Sequence, residues 1–381
     1  MKNKVLFVVS CFYHGGAERE MYELDCALDR TKIEPTILCL SELNDSKHFQ
    51  DYFYEKHINN GTKIHFFNEF KDLEKKSFKN KILNKLGFKP KCETTNKKLN
   101  NFLKEYNQVF FMGEYVYKDV SAKLENGSFN RVNIFIMSAR FQGEKYRNFN
   151  KENKYTFIGP FDTKEQVDFE FEGFIDYKHV FLPLSFVIDP TLNKWSFTDN
   201  KIKKIGIFTR LNKAKPLDPF FYTFHLLLKY LPDVELHIFG AGDYKEAGYD
   251  RYLNHLNLND KVVFRGHQEN MVETLNNENL NLVWFQGYLN RPAGYAGQDV
   301  SVTGTPMLLW DFFLGDNPNI NDLSYIYPHF KDIELFKDAS IQVLLKEELA
   351  KNISERQYLD VLEHKDMKKN IKNIEPILLG K

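Results

Sequence analysis

The sequence is poor in cysteine, lacks long apolar runs and carries no excess of either charge. Its four cysteines are scattered without CxxC spacing, which favours reduced thiols over a disulfide framework or a zinc site. No apolar stretch approaches the roughly 18 residues that a membrane-spanning helix requires. Basic (Lys and Arg) and acidic residues number 52 each, so the formal net charge is zero. Because phosphate-backbone binding needs a basic excess, this balance argues against a general nucleic-acid binder.

The first residues combine a basic start with the apolar stretch Lys4-Val-Leu-Phe-Val-Val9. This stretch is too short for the core of a signal peptide, and no small-residue cleavage site follows it. We therefore interpret it as the first strand of the fold. Together with the cysteine usage, it predicts a cytoplasmic protein.

Short apolar runs alternate with glycine turns and helical patterns in both halves of the chain. Lys4–Val9 leads into His14-Gly-Gly-Ala-Glu-Arg19, and Lys203–Phe208 leads into Thr209–Lys215, each before a helical segment. Buried strands that lead into helices are the repeating unit of a doubly wound parallel sheet. The pattern therefore predicts an α/β fold.

The length of 381 residues predicts two domains rather than one. The composition turns polar between Pro190 and Lys204, where we place the linker. We predict a first domain over residues 1–190, a second domain over 191–355, and a C-terminal helix over 356–381 that can pack back on the first domain.

The most informative segment runs from Gly294 to Met307 and lies between two strand-like runs. We predict that a helix starts near Gly297 and directs its free N–H groups and positive dipole end at a glycine-rich loop, which suits a diphosphate. Asp299 would lie in the first turn, where its carboxylate can accept hydrogen bonds from a ribose diol. An ordinary βαβ crossover, in which glycine and proline only mark turns, is the alternative.

Four motifs follow one another in the second half of the chain. They are Thr209-Arg-Leu-Asn-Lys-Ala-Lys215, Ile238-Phe-Gly-Ala-Gly242, Val262-Val-Phe-Arg-Gly266, and Arg291-Pro-Ala-Gly294 followed by Asp299 and Gly304-Thr-Pro306. In type, order and spacing they resemble the motifs of the GT-B sugar-nucleotide transferases, specifically the retaining glycosyltransferase family 4. The N-terminal turn at Gly15 and Gly16 resembles the glycine loop of the same family. The resemblance is good over residues 200–310 and thin over 45–180.

This resemblance implies the GT-B fold, in which two Rossmann-like domains face a cleft. It also implies a hexosyltransferase or a related enzyme that moves a sugar from a nucleotide-linked donor, which we take to be UDP-linked, to a glycan hydroxyl. Retention of the anomeric configuration and a role in cell-surface polysaccharide or lipopolysaccharide synthesis follow from the same resemblance. Enzymes of this type generally work without a metal, so we expect neither a metal nor another cofactor.

Arg210 and Lys215 are the candidate catalytic residues. They lie five positions apart across a predicted strand-to-helix turn, where their charges can converge on two phosphates. They would neutralise the charge that develops on a departing nucleoside diphosphate, and so replace the positive charge of a metal. Both can also be solvated loop charges without a catalytic role.

The resemblance assigns the remaining donor contacts. It places the ribose at Asp299, the base at the backbone of Arg265 and Gly266, and the sugar and acceptor near Gly15 and Gly16. A plain turn is the alternative for this glycine pair. The other donor-binding candidates are Gly240, Arg291, Gly294, Tyr295 and Ala296.

The chain departs from the family pattern at several positions. Arg291 stands where the family has the first glutamate of its motif, and Asp299 is a shortened form of the second. An arginine there can contact a carboxylated or phosphate-rich donor, or it can be a loop charge. Family members often carry a histidine near the sugar, and the matching stretch here has none. The acceptor-side candidates are Glu18, Glu114, Ser138 and Arg140.

Two other functions are compatible with these residues. A UDP-sugar epimerase on the same fold would need acid–base groups, for which Glu18, Glu114 and His267 are the candidates. A non-catalytic GT-B subunit that binds a partner is suggested by the missing glutamate at position 291.

Lysines are frequent from Lys71 to Lys104, interleaved with apolar residues such as Phe78, Ile82 and Phe88. A basic amphipathic helix of this kind can lie on anionic lipid. It predicts peripheral attachment to the inner face of a membrane, which suits a lipid-linked glycan acceptor. A solvated helix that caps the sheet is the alternative.

Overall fold

The computed structural model describes residues 2–43, 51–70, 93–122, 131–136, 149, 153–161, 164, 167–168, 171, 177–189, 195–213, 215–288, 291–312 and 320–381. The chain forms two compact units. The first unit contains residues 1–187 and 365–381, and the second contains residues 188–364.

The first unit is built on a seven-stranded parallel sheet. Its strands are β1 (Asn3–Val9), β2 (Ile33–Cys39), β3 (Lys63–Phe66), β4 (Gln108–Phe111), β5 (Arg131–Phe135), β6 (Lys154–Gly159) and β7 (Tyr177–Phe181), in the spatial order β3-β2-β1-β4-β5-β6-β7. The helices that alternate with them are α1 (Gly16–Ala27), α2 (Tyr54–Asn59), α3 (Glu93–Leu103) and α4 (Glu114–Ser121), with a 3₁₀ turn at Phe67–Phe70.

Strand β1 is buried on both faces, as expected for the centre of a parallel sheet covered by helices. Leu6 and Val8 pack on one face with residues of α3 and α4. Val5, Phe7 and Val9 pack on the other face with residues of α1. The apolar run at the start of the sequence is therefore the central strand of this unit.

The second unit repeats the architecture. Its strands are β8 (Lys203–Phe208), β9 (Val234–Phe239), β10 (Val262–Gly266), β11 (Leu282–Tyr288), β12 (Arg291–Pro292), β13 (Met307–Asp311) and β14 (His329–Phe330). Six of them run parallel in the order β10-β9-β8-β11-β13-β14, and β12 pairs antiparallel with β11. The helices are α5 (Asp218–Leu227), α6 (Asp250–His255), α7 (Met271–Glu278), α8 (Tyr295–Thr303), α9 (Ile333–Leu345) and α10 (Glu347–His364). The predicted α/β fold with two parallel sheets is confirmed.

The core of the second unit is centred on Trp284 in β11. Its indole is fully buried beside Phe220 of α5 and Phe336 of α9. The indole nitrogen donates a hydrogen bond of 2.9 Å to the Ser340 hydroxyl, so its one polar atom is satisfied. This packing fixes β11, the strand that leads into the Gly294–Met307 segment.

The last residues return to the first unit. They form α11 (Met367–Asn370), a 3₁₀ turn (Ile371–Asn373) and α12 (Glu375–Leu378). Met367 is fully buried with β1 and α1, and Phe186 forms a parallel bridge with Asp366. The sequence placed the start of a separate C-terminal segment at residue 356. In the structure α10 continues in the second unit to His364, because the Gln357 amide bonds the backbone of Met307 on both its N–H and its carbonyl.

Candidate functional site

The ends of parallel strands bring several predicted residues to one edge of the second sheet. We call the edge at which these strands end the carboxyl edge. Strand β8 is followed by the loop that carries Arg210 and Lys215, and its neighbour β11 is followed by β12 and α8. The chain runs outward from β8 in both directions, to β9 on one side and β11 on the other. Ligands of doubly wound sheets bind at such a switch point.

The loop after β8 is fixed by backbone hydrogen bonds to the loop after β9. Thr209 N–H donates to the Phe239 carbonyl at 2.9 Å, and Leu211 N–H donates to the Ala241 carbonyl at 2.8 Å. Arg210, held between these two anchors, is exposed. Among the residues that the structure describes, its guanidinium makes no hydrogen bond and no ion pair. It is therefore available to an anionic ligand.

Lys215 lies in a turn that is supported from α6. Its N–H donates to the Asn212 carbonyl at 3.0 Å, and the Tyr249 hydroxyl lies 2.9 Å from that same carbonyl. The Tyr249 hydroxyl also contacts the Lys215 carbonyl. Burial raises the pKa of Tyr249, so the hydroxyl keeps its proton for these contacts. Arg210 and Lys215 thus follow the same strand, and backbone hydrogen bonds hold Thr209, Leu211 and Lys215.

The helix after β11 begins earlier than predicted. Gly294, with φ of 82°, is the N-cap residue of α8, which starts at Tyr295 rather than near Gly297. Asp299 therefore lies beyond the first turn, which corrects our prediction of its place in the helix, and it is only 3% exposed. The early start follows from the positive φ of Gly294, which turns the chain from β12 directly into the helix.

The first turn of α8 has neither a side-chain cap nor an acidic residue. The N–H groups of a first helical turn, including that of Ala296 here, point out of the helix end. Gly297 allows this turn to approach β12 closely, because a β-carbon at that position would lie 2.3 Å from the Pro292 β-carbon. The helix end is therefore held against β12 and can accept an anion.

Arg291 lies on β12, paired with Tyr288 of β11. The hairpin is extended by a hydrogen bond of 3.0 Å from Ala293 N–H to the Gln286 carbonyl. Arg291 is half-buried. It therefore follows the end of β11 and directly precedes the turn into α8.

The end of β10 has an irregular register between Phe264 and Gly266. The Gly266 carbonyl accepts a hydrogen bond of 2.8 Å from Gly240 N–H, which joins the two strand ends. The Gln268 amide donates to the Arg265 carbonyl at 3.0 Å. These bonds fix the backbone that the sequence assigned to the base.

The Arg265 side chain is engaged by a network that the sequence did not reveal. Its Nε donates to His237 Nδ1 at 3.2 Å, and its Nη2 lies 3.3 Å from the Glu278 carboxylate. Burial lowers the pKa of His237, so the ring is neutral and its Nε2–H donates to Glu235 at 3.0 Å. The polar pair Glu235 and His237 within the otherwise apolar strand β9 is the signal in the sequence that could have indicated this network.

In the first unit, Gly15 is the N-cap residue of α1 and Gly16 its first residue. The Cys11 thiol donates a hydrogen bond of 3.0 Å to the Glu18 carboxylate. Burial raises the pKa of Cys11 to about 11, so the thiol remains protonated and can donate. The other oxygen of Glu18 lies over Gly15, where a β-carbon would come within 2.3 Å of it. The glycine turn and Glu18 thus form one compact group after β1.

Glu114 is the first residue of α4 and follows β4, the neighbour of β1 in the sheet. It is 2% exposed. The residues after β1 and those after β4 thus lie at the same edge, on either side of the switch point of the first sheet. Ser138 and Arg140 lie outside the described residues, and so do residues 71–92 of the lysine-rich segment.

The residues that the structure describes contain neither a membrane-spanning helix nor a cluster of metal ligands. None of their helices is both long and apolar enough to span a bilayer. In the same part of the chain, His, Cys, Asp and Glu side chains form no group of three or more that could hold a metal ion.

Solved structures with the same architecture are known. HepE of Anabaena, crystallised with UDP and glucose, has a TM-score of 0.67 and 13% identity, with 100% of each chain covered. TarM of S. aureus, crystallised as a variant with Fondaparinux, alpha-GlcNAc-glycerol and UDP, has a TM-score of 0.70 and 13% identity, again over 100% of both chains. A glycosyltransferase of Rickettsia africae has a TM-score of 0.64 and 13% identity, over 99% of each chain.

The chain has the GT-B fold. No protein-family model matches its sequence, and no curated protein is detectably similar to it in sequence. At these levels of identity the structural likeness establishes the fold. The function has to be argued from the residues at the carboxyl edges of the two sheets.

Proposed function

We propose that the chain is a glycosyltransferase that moves a sugar from a UDP-linked donor to a hydroxyl of a glycan. The observation that carries this proposal is the pairing of two anion-binding features on neighbouring strands. Arg210, exposed and without an ion pair to any residue that the structure describes, follows β8, and the first turn of α8, which has no side-chain cap, follows β11. Together they suit the two phosphates of a nucleoside diphosphate.

The reaction requires stabilisation of the negative charge that grows on the departing diphosphate. Arg210 and Lys215 supply positive charge, and the first turn of α8, through the Ala296 N–H, supplies a hydrogen-bond donor. The backbone hydrogen bonds of Thr209, Leu211 and Lys215 hold the residues that carry these charges. No group outside the chain is needed for this step of the proposal.

The rest of the donor is assigned along the same edge. Asp299 accepts hydrogen bonds from the ribose diol, and the backbone of Arg265 and Gly266 contacts the base. Arg291 faces the donor sugar and favours one with a carboxylate or phosphate group, since its charge differs from that of the family glutamate. The crystals of HepE and TarM, which contain UDP, support a uridine nucleotide.

The first unit provides the acceptor side of the proposal. Glu18 and Glu114 are carboxylates at the carboxyl edge of its sheet, and either can orient or deprotonate an acceptor hydroxyl. Ser138 and Arg140 keep the roles that the sequence gave them. Retention of configuration, membership of glycosyltransferase family 4 and a role in polysaccharide or lipopolysaccharide synthesis belong to the same proposal.

The test is incubation of the full chain with a panel of radiolabelled nucleotide sugars. Hydrolysis or transfer of one donor, lost in Arg210→Ala and kept in Lys213→Ala, would support the proposal. Lys213 is a matched control because it is an exposed cation in the same loop. Conversion of the donor to its epimer would indicate the epimerase instead. Binding of UDP without turnover of any donor would indicate a non-catalytic subunit.

A further inference from the structure

A buried histidine lies against the backbone of a glycine in the second sheet. His329 of β14 is fully buried, and β13 separates its strand from β11. A β-carbon on Gly287 of β11 would lie 3.1 Å from the His329 Cδ2 atom and 3.0 Å from the β-carbon of Leu309. The imidazole therefore reaches across β13 and fills space that a side chain at position 287 would need.

His329 acts on Gly287 through packing rather than charge. Its backbone is held by a hydrogen bond of 2.7 Å from Asn321 N–H to its carbonyl. Burial lowers the pKa of His329, although the charge of Asp311 and the Tyr327 carbonyl favour the protonated ring. The ring is therefore neutral at pH 7, and what it offers its neighbours is its shape.

Gly287 joins the ring of His329 to the candidate site. It pairs with Pro292 of β12, and its carbonyl accepts a hydrogen bond of 3.1 Å from Phe312 N–H. Pro292 in turn lies against α8, since a β-carbon on Gly297 would come within 2.3 Å of the Pro292 β-carbon. A continuous chain of contacts thus runs from His329 through Gly287 and Pro292 to the beginning of α8.

We propose that His329 is a positioning residue that holds the β11–β12 hairpin, and through it the first turn of α8, where the diphosphate binds. This inference rests on the proposed function, which places a phosphate at that helix end. Gly287 has no side chain of its own, so the ring of His329 supplies the packing at this point of the hairpin. Close-packed groups pass a displacement on to their neighbours, so the loss of the ring should be felt at the helix end.

The first test is UDP binding to the full chain, measured by calorimetry well below the melting temperature of each variant. His329→Ala should weaken binding about 3- to 30-fold, the effect that a residue without ligand contact can have on a site. Phe330→Ala is the matched control, because it removes a buried ring from the same strand. That ring packs on Phe336, on the other face of the sheet. The control should lose stability but keep the UDP affinity of the wild type.

Gly287→Ala tests the same contact from the other side. The added methyl group presses on the ring of His329, so this variant should also weaken UDP binding. In Gly287→Ala/His329→Ala the ring is gone and the methyl group occupies part of its space, so the two losses should not add. Losses that add in the double variant would mean that the two residues act independently, which would overturn the inference.

Hydrogen exchange gives a readout that needs no ligand. The Ala293 and Phe312 amides donate to carbonyls of β11, so their exchange reports on the hairpin and on the strand end beside it. Both amides should exchange faster in His329→Ala and at wild-type rates in Phe330→Ala. Unchanged exchange of both in His329→Ala would overturn the inference. If the wild type does not bind UDP, the proposed function fails, and the exchange rates alone decide whether His329 holds the hairpin.

Discussion

A β-carbon on residue 240 would lie 1.7 Å from the carbonyl oxygen of Thr209. Gly240 also has a φ of 153°, a conformation that other residues rarely adopt. Two parallel strands thus end in loops whose backbones touch at Thr209 and Gly240. The position of Arg210, one residue after Thr209, depends on this contact.

Gly240→Ala should therefore destabilise the second unit and weaken UDP binding. The added methyl group meets backbone rather than a flexible side chain, so the loop after β8 has to move. Gly248→Ala is the matched control, since its φ is also positive, at 83°, but a β-carbon there meets nothing within 4 Å. The control should lose only the roughly 1–2 kcal/mol of an unfavourable φ. Thermal denaturation of both variants measures the difference, and equal losses would contradict the contact.

Arg210→Ala and Lys215→Ala should each lower turnover by about two orders of magnitude, the effect of removing one transition-state charge contact. Both side chains lie in a loop, so the thermal transition should change little. Initial rates with the accepted donor give the comparison, with Lys213→Ala as control. Rates within a few-fold of wild type in both variants would rule out the assignment.

Asp299→Ala should weaken UDP binding by about 1.5–3 kcal/mol, because the ribose diol loses a charged acceptor. Asp299 is buried in α8, so stability has to be measured beside affinity. Titration calorimetry with UDP measures the affinity of the wild type and of Asp299→Ala. Unchanged affinity with a lower melting temperature would mean that the carboxylate serves the fold.

The first unit should lose stability in acid through Asp25. Burial alone would raise the pKa of this carboxyl, but hydrogen bonds and charge from His57, Arg30 and Asn60 lower it below its ordinary value of 3.8. Because its pKa is lower in the folded than in the unfolded chain, ionised Asp25 stabilises the fold at pH values above its unfolded pKa. This stabilisation is lost as the pH falls below that value. The acid transition of the wild type should therefore begin near pH 4.

Asp25→Asn should flatten this acid dependence and destabilise the unit at pH 7, because His57 and Arg30 lose their partner. Urea unfolding followed by circular dichroism at several pH values between 2 and 7 gives the free energy of unfolding at each pH and so measures both effects. Asp119→Asn, at an exposed position of α4, is the control. If Asp25→Asn loses stability at low pH as the wild type does, carboxylates other than Asp25 determine that loss.

The lysine-rich segment should bind anionic membrane. Each lysine near such a surface contributes about 1 kcal/mol, and salt screens the attraction. Co-sedimentation with phosphatidylglycerol vesicles at low and high salt tests this, with Glu at Lys79, Lys81 and Lys85 as the variant. A wild type that stays in the supernatant at low salt would leave the segment as a solvated cap.

The central strands were predictable because each is a short apolar run, as burial on both faces of a parallel sheet requires. The run at 203–208 coincides with β8, and the run at 4–9 lies within β1. The start of α8 was misplaced because the positive φ of Gly294 has no signature that separates it from the nearby Gly297. The His237–Arg265 network was missed because it joins two strands whose register only the folded sheet defines.

The order in which the chain is synthesised does not match the order in which its units can be completed. Met367, Ile374 and Leu378 are fully buried against β1 and α1, although most of the first unit is made first. A nascent chain that has reached residue 364 therefore holds every residue of the second unit, while its first sheet still exposes an apolar face. The core of the first unit therefore cannot be completed before residues 367–378 have been synthesised. Premature termination after residue 364 would leave that face open to aggregation.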